Sequence, residues 1–133
     1  MDIIPGLSQT ASALDANKQR LEIIAQNIAN AQTTQGLDGE PYQRRGVSFV
    51  SVLQGANQKG VEVQEVFTDK TPGPTVYNPS HPHADGEGMV RMPNVQMAVE
   101  MVDMISASRA YQANLSASKI SRQMAESALR IGQ

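Results

Sequence analysis

Residues 7–31 read LSQTASALDANKQRLEIIAQNIANA, and this stretch decides the fold. Leu7, Leu14, Leu21 and Ile28 fall seven apart, with Ala11 and Ala25 between them and Lys18 as the one exception. A repeat of seven puts a narrow apolar stripe along one face of a helix. Gln9, Asp15, Gln19, Glu22 and Gln26 lie off that stripe. Pro5 is tolerable in a first turn, where its missing N–H removes no intrahelical bond, and Gly36 with Asp38-Gly39 ends any continuation.

Outward from this helix, proline and glycine divide the chain. Residues 32–93 hold six of the seven prolines and eight of the ten glycines, whereas residues 94–131 hold neither. These residues are the strongest local punctuation in a sequence. The chain therefore reads as a mainly α fold in three parts. An N-terminal helical segment spans 1–31, an irregular or β middle 32–93, and a C-terminal helix 94–133, the two helices forming a coiled-coil pair. Asn94 is the expected N-cap of the second helix and Gly132 its stop. Met97, Met101, Met104, Ser108, Tyr111 and Leu115 form one stripe on it; Ala113, Ala117, Ile120, Met124, Ala128 and Ile131 form another. The serines and alanines of 106–118 allow close approach by other helices.

In the middle, Val47, Phe49 and Ser51 alternate with polar and apolar neighbours, and Val61 and Val63 alternate with Glu62 and Gln64. Period-two runs flanking the loop from Gln54 to Gly60 predict a β-hairpin. Pro72-Gly73-Pro74, Asn78-Pro79 and His81-Pro82 predict extended, turn-rich chain after it.

Helices of roughly 40 and 55 Å exceed a small domain. Either they close on each other as a self-contained hairpin, or much of their apolar surface meets other subunits. Aromatic residues are 4% of the chain, with no Trp, so the usual large core side chains are scarce. A marginal monomer follows, because ordering each residue costs roughly 1–2 kcal/mol of backbone entropy. The methionine-rich stretch Met89, Met92, Met97, Met101 and Met104 suits packing against varied surroundings.

Several function classes are excluded or disfavoured. Net charge is −2 with no basic stripe, so nucleic-acid binding lacks its electrostatic footing. Cysteine is absent, which removes disulfides and thiol chemistry. No stretch approaches the ~20 apolar residues of a membrane span, and no secretory signal is visible. His81, His83, Asp85 and Glu87 alternate within one loop but lack a closed metal-site spacing. No nucleophile elbow or phosphate-binding glycine loop occurs. Neither catalytic residues nor a cofactor are expected.

Ala25-Gln26-Asn27-Ile28-Ala29-Asn30-Ala31 resembles the N-terminal signature of flagellar axial proteins, the rod, hook and hook-associated subunits. Residues 38–49, Asn78-Pro79-Ser80-His81-Pro82, the run from Val90 to Gln112 and the closing Ala128-Leu129-Arg130-Ile131-Gly132 are similar to further blocks of that family. The short middle segment favours its proximal-rod members. The resemblance implies a structural subunit exported by the flagellar type III apparatus without signal cleavage. It implies assembly in the periplasm with copies of itself, with FlgB and FlgF, and with FliE as a further candidate. The helices would form an inner layer of a tube that passes torque from motor to hook. Leu7, Leu14, Leu21, Asn27, Ile28, Asn30, Val102, Ile105, Arg109, Tyr111, Asn114, Ile120 and Met124 are the expected assembly interface. Phe49 and Leu53 fit a Phe-x-x-x-apolar export pattern. A self-contained helical adaptor or chaperone of the cytoplasm is the alternative.

Overall fold

A computed structural model describes residues 6–53 and 59–132. Pro5 and residues 54–58 of the hairpin loop lie outside the described residues. Helix α1 spans Leu7–Ala29 and helix α2 spans Met97–Ile131. Between them run β1 (Arg45–Leu53), β2 (Lys59–Thr68), β3 (Thr75–Tyr77) and β4 (Met89–Arg91). The strands pair as two antiparallel two-stranded ladders, β1 with β2 and β3 with β4. Two long helices flanking a small β middle is the expected architecture.

The helices pack antiparallel: Asn27 meets Glu100, and Arg20, two turns back along α1, meets Asp103. The buried face of α1 is not the leucine heptad. It carries Ala16, Ile23, Ile24 and Asn27, with Arg20 on the same side. On a helical wheel the heptad stripe centres roughly 130° away, and Leu7, Leu14, Leu21 and Ile28 are only half-buried. On α2 the buried side chains are Glu100 and Ala107. The described core is small: Ala16, Ile23, Ile24, Val90 and Ala107 are its buried apolar members.

A two-stranded hairpin is marginal by itself, and β1–β2 packs on α1. Val61 and Val63 line a cleft with Ala11, Ser12 and Ala16, and the Val61 N–H donates to Ser12 Oγ at 3.2 Å. The register shifts between Ser48 and Phe49, so that Val47 pairs with Val66 and Phe49 with Val63. A bulge there leaves one extra residue in β2. Beyond it Val66 is exposed, and Phe67 joins Val47 and Phe49 in lining a cleft beside Ile23 and Ile24. Gly46 lies under the Phe67 ring, where a Cβ would meet the nearest ring carbon at 2.4 Å. A Cβ on Gly73 would meet the Met92 carbonyl oxygen at 2.0 Å, so that crossing of two chain segments admits only glycine.

One expected helix end differs. Asn94 does not cap α2; the N-cap is Gln96, which makes no side-chain cap bond. Asn94 is used as a brace instead: its Oδ1 accepts from the Arg44 N–H at 2.6 Å, and its Nδ2 donates to the Asp69 and Thr71 carbonyls, both at 2.9 Å. Gly132 does end α2, but with φ −84° rather than in the left-handed region, its N–H donating to the Ala128 carbonyl.

Candidate assembly interface and the junction beneath it

The outward surfaces depend on how the helices are held, and that is decided by one buried polar junction. Asn27 is fully buried. Its Nδ2 donates to the Arg45 carbonyl at 2.7 Å and to Glu100 Oε2 at 3.0 Å. Its Oδ1 accepts from the Arg45 N–H and from Tyr42 Oη, both at 2.9 Å. An amide offers two donors and two acceptor lone pairs, so every hydrogen-bonding position of Asn27 is used. Arg45 presents its N–H and C=O to one side chain much as it would to a neighbouring strand.

Glu100 is also fully buried. Its Oε1 accepts from Arg44 Nε, while Arg44 Nη2 lies 3.5 Å from Asp103 and Arg20 Nη2 lies 3.9 Å from the same carboxylate. Charges leave water only when paired and hydrogen-bonded, and here both Glu100 oxygens have donors. Burial pushes the Tyr42 phenol up, with Arg45 opposing and Glu100 adding to the rise. The phenol therefore stays a donor to Asn27. Among the described residues no buried side-chain polar atom lacks a partner.

Asn27 was expected at an inter-subunit contact; the structure uses its full bonding capacity inside one chain, which ties α1, the β1 entrance and α2 together. Asn30 is the C-cap of α1: its Nδ2 donates to the Gln26 carbonyl, and its Oδ1 accepts from Thr33 Oγ1. Asn114 donates to the Ala110 carbonyl one turn back, and Tyr111 is half-buried. Glu100, Arg44 and Asn94 were not expected as junction residues. Glu100 had one visible signal, an acid with Asp103 beside it in the otherwise apolar start of α2.

The remaining expected interface residues are outward. Val102 (66% exposed), Ile105, Ile120 and Met124 lie on the side of α2 away from α1, and Arg109 is exposed beside them. Val102, Ile105, Ile120, Met124 and Ile131 centre roughly 150° around the helix from the face carrying Glu100 and Ala107. Helix α2 has 35 residues against 23 in α1. In an antiparallel pair joined at Asn27 and Glu100, about 18 Å of α2 extends past Leu7. Leu129 and Ile131, 68% and 86% exposed, lie on that extension.

The chain exposes 9323 Å². A compact monomer of 14.3 kDa would expose roughly 6,800 Å², so the excess is about a third. Phe49 and Leu53 are both exposed on β1. In the histidine loop, His83 Nδ1 bonds Thr34 Oγ1 at 2.8 Å, His81 Nδ1 accepts from the His83 N–H, and Asp85 accepts from the Glu87 and Met89 N–H groups. Among the described residues no His, Asp or Glu cluster is placed to hold a metal ion, and no helix is long and apolar enough to cross a membrane.

Two long paired helices, a small β insert and exposed apolar residues on α2 define a mainly helical protein with uncovered apolar surface. Residues 8–36 match the family described as flagella basal body rod protein, and residues 87–131 match the flagellar basal body rod FlgEFG protein C-terminal family. The flagellar basal-body rod protein FlgC of Escherichia coli O157:H7 is 44% identical over 123 residues, covering 92% of each chain. Those of Bacillus subtilis and Borreliella burgdorferi are each 36% identical and cover the whole of this chain, with 100% and 99% of their own lengths matched. The chain belongs to the FlgC family of flagellar basal-body rod proteins, a structural family and not an enzyme family.

Proposed function

We propose that this chain is a subunit of the proximal rod that polymerises through the outward faces of α1 and α2 and transmits torque through many helix contacts. The observation that carries the reading is the unpartnered apolar face of α2, with Val102, Ile120, Met124 and Ile131 between 56% and 86% exposed. Monomers rarely present an apolar patch beyond a few hundred Å² without a partner for it. Family membership supports the rest: copies of itself and the rod subunits FlgB, FlgF and FliE as neighbours, delivery by the flagellar type III export apparatus without a cleaved signal, and a place in the periplasm. Phe49 and Leu53 remain the candidate export motif within that reading. The pairing of α1 with α2 inside one chain is also what a self-contained cytoplasmic adaptor would need. An adaptor, however, gives no reason for the uncovered overhang of α2.

Ile120→Asp places a charge in the outward face without touching the junction, and Leu21→Asp does the same from the heptad stripe. An unpaired carboxylate buried at an interface costs several kcal/mol. The variants are expected to lose swimming and to be missing from purified basal bodies, while the Ile120→Asp monomer keeps its wild-type helical circular dichroism. Basal bodies with normal amounts of both variants, in cells that swim, would sink the proposal.

A further inference from the structure

Resting on that reading, we propose that the face of α2 turned away from α1 is covered by the outward face of α1 from a second copy, rather than by another α2. From Ile105 to Ile131, α2 carries Arg109, Lys119, Arg122 and Arg130 against the single acid Glu126. Glu126 is bonded to Arg122 at 3.1 Å. Arg109, Lys119 and Arg130 thus have no carboxylate partner among the described residues; on the wheel Arg109 falls within the apolar stripe of Ile105, Ile120 and Ile131, and Lys119 and Arg130 lie along one edge of it. Two such faces brought together would set these cations against one another.

The outward face of α1 has the complementary character. Ala11, Asp15, Lys18, Glu22, Ala25 and Ala29 are exposed there, beside the half-buried Leu14, Leu21 and Ile28. Lys18 lies 4.0 Å from Glu22, so Asp15 is the carboxylate left for an outside cation. Alanines at 11, 25 and 29 let another helix approach closely, and the leucines give it an apolar edge to bury. Pairing α1 with α1 would leave the larger stripe of α2 uncovered; pairing α1 with α2 covers both.

A face of one kind meeting a face of another kind does not close on itself and generates an open helical array. The polar junction holds α1 and α2 as one body, so each copy offers both faces at once. The overhang of α2 beyond Leu7 then reaches past its own α1 toward the next copy.

The chain has no cysteine, so introduced thiols report only the contact they are placed in. Ala11, Ala25 and Ala29 on α1, and Ala113, Ala117 and Ala128 on α2, are all exposed, and alanine to cysteine is a small change. Single-cysteine variants of the full chain are incorporated into basal bodies alone or as α1–α2 mixtures, then oxidised. Mixtures are expected to give a disulfide-linked dimer at several-fold the yield of either variant alone. A chain carrying both Ala25→Cys and Ala117→Cys is expected to give a ladder of higher multimers. Equal dimer yield from the α2 variants alone would overturn the proposal in favour of α2–α2 pairing. Incorporation without cross-linking by any mixture would overturn it too and leave the rod reading standing. If the wild-type chain itself is missing from basal bodies, the rod reading falls and takes this pairing with it. As an independent readout, Arg109→Glu with Lys119→Glu is expected to abolish swimming, and adding Asp15→Lys to restore part of it. No restoration counts against the pairing.

Discussion

Replacing Asn27 by leucine is expected to destabilise the monomer by about 3–5 kcal/mol, because four partners lose their bonds at once. Leucine has similar bulk, so the loss is not a cavity effect. The Arg45 N–H and C=O would face an apolar side chain inside the fold, and Glu100 would lose the donor to Oε2. Tyr42 is only half-buried and can turn its hydroxyl toward water, which keeps the figure below a simple multiple of one buried bond. In a chain of this size the midpoint should fall on the order of 10 °C, read by circular dichroism at 222 nm. The entrance to β1 should loosen with it, because Asn27 is the only side chain bonded to both backbone groups of Arg45 among the described residues. A midpoint within a degree or two of wild type would mean that the junction is not what holds the helices together.

The second large effect is expected at Glu100. Glu100→Ala leaves Arg44 without its carboxylate and Asn27 with an unmet donor. Breaking a buried pair by removing one partner costs about 3–5 kcal/mol in general. Arg44 keeps some solvent contact and still has Asp103 within reach, so about 2–4 kcal/mol is expected here. Glu100→Gln should fall between wild type and Glu100→Ala. Both carboxylate oxygens accept, from Arg44 and from Asn27, and an amide must turn its NH2 toward one of those donors. Urea unfolding of the three proteins reads this order directly. An order in which glutamine is worse than alanine would contradict the assigned donors and acceptors.

The helices were legible because proline and glycine cluster so sharply in the middle of the chain and because both flanks keep a helical period. The phase of the α1 core was not legible. The heptad leucines are the most conspicuous apolar set, whereas the face turned to α2 includes half-buried Arg20 and buried Asn27, which an apolar count passes over. Asn94 looked like a cap because it stands just before a helical pattern. Its actual partners lie 23 to 50 residues away in sequence, and no local rule reports such contacts. Glu100 was hidden for the same reason, since its role exists only once Arg44 and Asn27 are beside it. The hairpin was visible from Val61 and Val63, but the bulge opposite Ser48 and Phe49 carried no signal in the alternation. The outward residues Val102, Ile105, Ile120 and Met124 were readable because a helix can bury only one side against a single partner, and here both sides are apolar.

Amide hydrogen exchange of the monomer, compared with the same chain in isolated rods, tests the central claim most directly. Slow exchange around the junction, in residues 23–29 and 97–107, is expected in both states. Residues 120–131 of α2, the overhang, are expected to exchange fast in the monomer and slowly in the rod, where neighbours cover them. Equal strong protection of 120–131 in both states would contradict the account, because the overhang would then be satisfied without any neighbour.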